Sequence, residues 1–261
     1  MQGLTSLGMR LDPARLAAAA GITLDPWQEE AVRSKSKKML LNCSRQAGKS
    51  FVAGDIGMHT ALYQDESLVL LVSPSQRQSA ELLRYCHSIY AASGQLVSSD
   101  KDSVLHLELQ NGSRVLALPG TEKTLRGLAN VTALILDEAS RIPDSLFLSC
   151  LPFLAVSNGR LIALSTPWGA RGWWYQCYLD RKAEGFEYFE VPATECPRIS
   201  PEFLAQQKRL MADYWFQSEY MCKFLQPVGA VFTAEDIAAL ADESVERWTF
   251  DARPRRLAAT A

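Results

Sequence analysis

Cys43-Ser44-Arg45-Gln46-Ala47-Gly48-Lys49-Ser50 follows the apolar run Met39-Leu40-Leu41-Asn42 and opens a helix-compatible stretch from Lys49 to Tyr63. The apolar run is too short for a helix and is bounded by polar residues on both sides, so it reads as a buried strand. The octet fits the phosphate-loop pattern G-x-x-x-x-G-K-[ST] at every fixed position except the first, where Cys43 stands in place of glycine. The physics of the remainder is intact. Gly48 lets backbone amides approach an anion, Lys49 can reach the β- and γ-phosphates of a nucleotide, and Ser50 can hold Mg²⁺, with the helix N-terminus facing the anion. A lone Gly-Lys-Ser carries little information; its place between a strand and a helix gives it weight.

Outward from this loop, Leu68–Val72, Val131–Leu136 and Leu161–Leu164 are further continuous apolar runs, each leading into a polar or proline-containing loop. Such runs belong to parallel strands covered on both faces. The stretches Lys49–Tyr63 and Ser75–Ala91 between them have helical character, so strand and helix alternate and the fold class is α/β with a mostly parallel central sheet flanked by helices. One excursion is antiparallel: Val104–Gln110 alternates, Asn111-Gly112 predicts a type I′ turn, and Ser113–Leu118 returns. Upstream, the alanine-rich Leu11–Ala20 predicts a helix ending at Gly21, and Pro26 suits the first turn of a short helix reaching Arg33.

Two more strand ends carry chemistry. Ala133-Leu134-Ile135-Leu136-Asp137-Glu138 delivers adjacent carboxylates, Asp137 lying 88 residues after Lys49. Residues leaving a strand in succession point in different directions, so Asp137 can hold a Mg²⁺ water shell while Glu138 polarises an attacking water. Taken alone the pair reads as an acidic helix cap; with the phosphate loop it reads as the acid end of a nucleotide hydrolase. Leu164-Ser165-Thr166-Pro167 brings hydroxyls to the same edge, where Ser165 and Thr166 can report the γ-phosphate state.

The composition excludes several classes. The chain of 261 residues is 48% hydrophobic and 21% charged, an ordinary globular balance that rules out disorder, collagen and coiled coil. No stretch approaches a membrane span, and the first ten residues lack a signal-peptide pattern, so a cytoplasmic location is expected. The six cysteines are scattered without metal-ligand spacing and read as free thiols. A net charge of −2 gives no global pull on nucleic acid, so any DNA contact must be a local basic patch.

Together these residues resemble the ATPase domain of the large terminase subunit of tailed bacteriophages, a DNA-packaging motor. The resemblance runs from about Leu24 to Phe232. It rests on Trp27-Gln28 as an adenine-contacting Q motif, Ser44-Arg45-Gln46-Ala47-Gly48-Lys49-Ser50 as the terminase form of the phosphate loop, Ala117-Leu118-Pro119-Gly120 and Leu125-Arg126-Gly127. It continues through the Asp137-Glu138 strand, the coupling motif Ser165-Thr166-Pro167 with Gly169, and Glu219-Tyr220 before Gly229-Ala230-Val231-Phe232. The resemblance implies a P-loop NTPase of the ASCE, RecA-like type that takes ATP with Mg²⁺ and drives double-stranded DNA into a procapsid. It further implies a homo-oligomeric ring, a portal protein and small terminase subunit as partners, and the bacterial host cytoplasm as location. Residues 1–232 are then the ATPase domain, with 1–23 a helical extension, and 233–261 a short tail holding a capped helix over Glu235–Leu240. Full-length terminases continue into an RNase H-like nuclease domain, which the 29 residues after Phe232 cannot supply, so no nuclease activity is expected. A two-domain helicase needs a second domain of similar size, which the length after Thr166 does not supply, and a nucleotide-binding remnant is disfavoured by the intact Lys49, Ser50, Asp137 and Glu138.

Two arginines are candidates for stabilising the transferred phosphoryl group: Arg45 within the phosphate loop, and Arg126, which in ring motors of this type can reach a neighbour's nucleotide. The aromatics Trp168, Trp173, Trp174, Tyr175 and Tyr178 are read as core packing, Arg33–Lys38 as a solvated loop, and the three histidines carry no role.

Overall fold

The computed structural model describes residues 2–121, 125 and 127–226, with backbone alone for residues 2–5; Arg126 and the expected tail helix over Glu235–Leu240 lie outside the described residues. One eight-stranded sheet organises the chain: β1 (Lys38–Cys43), β2 (Leu68–Ser73), β3 (Ser99–Ser103), β4 (His106–Leu109), β5 (Arg114–Pro119), β6 (Ala133–Asp137), β7 (Arg160–Ser165) and β8 (Glu187–Val191). Its spatial order is β3-β4-β5-β2-β6-β7-β1-β8. The six strands from β5 to β8 are mutually parallel, while β3 and β4 run antiparallel at one edge.

The apolar runs alternate between two cores, as the period of two in a strand requires. Met39, Leu41, Val69, Leu71, Ile135, Ile162 and Leu164 face one, beneath the helices α2 (Ala14–Ala19), α3 (Pro26–Arg33), α4 (Lys49–Tyr63) and α5 (Gln76–Ala92). Leu40, Leu70, Val72, Leu134, Leu136, Leu161 and Ala163 face the other, with residues of α6 (Asp144–Cys150) and α7 (Gly172–Asp180). The aromatics read as core divide accordingly. Trp173 and Trp174 are buried, with Trp173 stacked on Phe147 at 3.9 Å, whereas Trp168 is only half-buried.

Helix α1 (Gln2–Leu11) precedes α2, and the single helix expected over Leu11–Ala20 is broken at Asp12-Pro13. Pro13 has no N–H to continue α1 and serves as the N-cap residue of α2, while Asp12 accepts a hydrogen bond from the Ala14 amide. The type I′ turn at Asn111-Gly112 does not form either. Only Gly112 has positive φ, the Gly112 amide donates to Leu109 O, and the Leu109 amide donates to Ser113 O. This is a three-residue hairpin loop with glycine in the left-handed position, favoured because the Asn111 side chain is drawn to Ala61 O and the Ser113 amide. Within α4, Asp55 is fully buried with neither carboxylate oxygen hydrogen-bonded among the described residues. Burial, reinforced by the Asp12 charge, pushes its pKa up to about 8.

Candidate active site

The parallel register sets the strand ends side by side. Asp137 pairs with Leu164, Asn42 with Ser165, and Cys43 with Val191, so the loops after β6, β7, β1 and β8 emerge along one edge, the side of a parallel sheet where ligands collect.

After β1 the chain turns through Gln46 at φ +63° and Gly48 at φ +89° and enters α4 at Lys49. A Cβ at residue 48 would lie 2.6 Å from Gln28 Nε2, so this position needs glycine for both conformation and space. Lys49 is buried, and its Nζ stands 3.3 Å from Glu138 Oε1. Burial works against the Lys49 ammonium, but the charges of Glu138 and Asp137 outweigh it and raise its pKa. Asp137, 7% exposed, is pushed up to about 6, first by burial and then by Glu138, against the pull of Lys49.

Glu138 occupies a left-handed backbone conformation at φ +50°, with its amide donating to Asp137 Oδ1 at 3.0 Å. A glutamate held there is strained, and such strain is characteristic of residues positioned for chemistry. A 3-10 turn over Ala139–Arg141 follows, and it is tied to the end of β7: Ser165 Oγ accepts from the Ser140 amide at 3.2 Å and donates to Ser140 Oγ at 2.7 Å. The Ser165 hydroxyl is thereby spent on the acidic loop. Thr166 is buried beside it, and beyond α8 (Pro201–Leu210) Ser218 Oγ of α9 (Asp213–Glu219) donates to Pro167 O.

Arg45, Gln46, Gly48, Lys49, Ser50 and Glu138, with Phe51 and Tyr85, line a cleft of 260 Å³. A second cleft of 640 Å³ shares Arg45 and Gln46 with the first and is completed by Arg198, Ile199, Ser200, Phe203 and Tyr220. The two clefts thus meet at Arg45 and Gln46 of the phosphate loop.

The remaining expected residues take varied places. Ser44 is fully buried, its hydroxyl 3.8 Å from Cys196 Sγ and its amide bound to Val191 O. The Arg45 guanidinium forms a two-point pair with the Glu219 carboxylate, which raises its pKa, and its amide donates to Glu219 O. Ala47 is buried, and its carbonyl accepts from Gln28 Nε2 at 3.3 Å and from Arg198 Nη2 at 2.9 Å. Gln28 also accepts from the Asp25 amide, completing the capping box of α3. Ser50, the second residue of α4, lines the smaller cleft.

Three partners escaped sequence reasoning: Arg198, which also pairs with Asp25 at 2.8 Å; Glu219 as the acceptor for Arg45; and Arg141, whose guanidinium lies 3.3 Å over the Trp168 ring. Only the Glu219-Tyr220 dipeptide had a sequence signal, and nothing local marked the other two.

The donor set fits a magnesium ion. A hydroxyl and one carboxylate beside a phosphate site are the sparse protein ligands Mg²⁺ uses, since it keeps water and substrate oxygens for the rest. Among the described residues there is no cluster of three or more His, Cys, Asp or Glu side chains that could hold a metal ion.

The family model for the N-terminal part of terminase large subunits, T4-like virus type, matches residues 40–239. Among solved structures, the chain is similar to the large terminase ATPase domain of Thermus phage P74-26, with a TM-score of 0.71 at 20% identity over 80% of this chain and 97% of that one. It is also similar to the large terminase of a thermophilic bacteriophage, with a TM-score of 0.65 at 13% identity over 78% of this chain and 54% of that one. For the HK97 bacteriophage large terminase the TM-score is 0.62 at 16% identity, over 78% and 51%. The chain thus spans about half the length of these last two proteins. No curated protein sequence matches it. Among the described residues, no helix is long and apolar enough to cross a membrane.

Proposed function

The chain belongs to the family of terminase large subunit N-terminal domains of the T4-like virus type, and on that premise we propose that it is an ATP-hydrolysing motor domain powering translocation of double-stranded DNA into a procapsid. The observation that carries the reading is the 3.3 Å approach of Lys49, at the start of the phosphate-loop helix, to Glu138, at the end of the acidic strand. A related large terminase of a thermophilic bacteriophage has been solved with ATP-γ-S, which supports a nucleotide as the ligand.

In this reading Lys49 leaves Glu138 for the β- and γ-phosphates, and the first amides of α4 complete the anion cradle. Ser50 and Asp137 would hold Mg²⁺, which supplies positive charge against the phosphate oxygens. Glu138, released from Lys49, orients and polarises the attacking water. Arg45 must exchange Glu219 for phosphate before it stabilises developing charge, which couples nucleotide occupancy to α9. The ring, portal and small-subunit partners, and action of Arg126 on a neighbour's nucleotide, belong to the same proposal.

Steady-state phosphate release with and without duplex DNA tests it. Turnover that requires Mg²⁺, rises with DNA and disappears in Lys49→Ala is the expected result. An Mg²⁺-ATP turnover unchanged in Lys49→Ala would overturn the site.

A further inference from the structure

We propose that Arg198 is the side chain against which the nucleotide base lies, and that Gln28 acts on the phosphate loop rather than on the base; this rests on the nucleotide reading above. The two side chains meet at the same atom, Ala47 O, but present different surfaces to the clefts. Gln28 is 3% exposed and both ends of its amide are used: Oε1 accepts from the Asp25 amide at 2.9 Å and Nε2 donates to Ala47 O at 3.3 Å. Reading an adenine edge would require it to abandon the capping box of α3 and the phosphate loop together.

Arg198 is the converse case. Its side chain is 47% exposed and lines the larger cleft. Nη1 donates to Asp25 Oδ1 at 2.8 Å, Nη2 stands 2.8 Å from Asp25 Oδ2, and Nη2 donates to Ala47 O at 2.9 Å. These contacts use the edge of the guanidinium and fix its plane, leaving its faces for stacking on a planar ring. Ile199, Phe203 and Tyr220 complete an apolar and aromatic lining, and the Ser200 hydroxyl at the start of the next helix accepts from the Phe203 amide at 3.2 Å. The cleft therefore offers a base apolar and aromatic surfaces to lie against, beside Arg45 and Gln46 of the phosphate loop.

Binding of ATP and of inorganic tripolyphosphate, each with Mg²⁺, separates the two roles, because tripolyphosphate has the anion and no base. Arg198→Ala and Arg198→Lys are each expected to weaken ATP about tenfold more than they weaken tripolyphosphate, the size of one lost base-stacking contact. Lysine keeps the charge opposite Asp25 but has no plane to stack, so it discriminates stacking from charge. Gln28→Ala is expected to weaken both ligands equally, as a residue acting through the loop should. Equal losses for ATP and tripolyphosphate in Arg198→Ala, or an ATP-selective loss in Gln28→Ala, would overturn the assignment while leaving the nucleotide site standing. A parent chain that binds neither ligand would remove the nucleotide reading and this inference with it.

Discussion

Replacing Glu138 by glutamine should separate binding from turnover, because the proposed function gives Glu138 two jobs that pull in opposite directions. With the phosphate site as described, its carboxylate holds Lys49 at 3.3 Å, so a nucleotide must compete for that ammonium. Two unit charges at that distance interact by roughly 5 kcal/mol at an effective dielectric of about 20. Most of this is not recoverable: Glu138 is 28% exposed, and Asp137 remains to balance Lys49 after the substitution. A net gain of about 1.4 kcal/mol, or tenfold tighter Mg²⁺-ATP binding, is the scale expected once both effects are discounted. Loss of the group that polarises water should lower kcat by roughly 100- to 10,000-fold. Equilibrium titration with a fluorescent ATP analogue reads the first effect and phosphate release the second. Tighter binding with collapsed turnover is the signature; a Glu138→Gln variant that turns over at the parental rate, or binds more weakly than the parent, would falsify the dual role.

Three further outcomes are expected. Asp137 must be ionised to serve Mg²⁺, and its pKa is pushed up to about 6, so kcat/KM should fall as pH drops below about 6 and the limb should move to lower pH as Mg²⁺ is raised; a limb insensitive to Mg²⁺ would belong to another group. Asp55 has a folded-state pKa of about 8, above its ordinary value of 3.8, so the folded chain binds the extra proton between these values and loses stability as pH rises through the window. Asp55→Asn should therefore unfold at higher denaturant than the parent at pH 8, by about 2 kcal/mol after allowing for an imperfectly bonded amide, with no gain at pH 4; a gain of equal size at both pH values would refute the buried-charge account. For Arg126, mixing Arg126→Ala chains with Glu138→Gln chains should restore part of the lost ATPase activity, since one keeps a working site and the other its arginine; confirmed mixed assemblies without recovery would favour Arg45.

What the sequence made legible was whatever depends on neighbours along the chain. Leu68–Val72 and the Met39–Asn42 run announced buried strands because every residue in them is apolar or, like Asn42, locked inside. Strands β3 and β8 gave no such signal: Ser-Asp-Lys-Asp-Ser is an exposed edge, and Glu-Tyr-Phe-Glu-Val is a short, half-buried one. The site divides the same way. Lys49, Ser50, Asp137 and Glu138 stand out by pattern, whereas Arg198 reaches Ala47 across 151 positions and Glu219 reaches Arg45 across 174, contacts that no local periodicity encodes. The one apparent defect in the pattern, cysteine at the first glycine of the phosphate loop, has a physical explanation in the backbone. Cys43 is the last residue of β1, is fully buried, pairs with Val191, and has no positive φ. The left-handed turns fall instead on Gln46 and Gly48, so a side chain is tolerated at residue 43 and glycine is demanded only at residue 48. Gln46, a non-glycine at φ +63°, then carries the strain of the turn at the seam between the phosphate cleft and the larger cleft beside it.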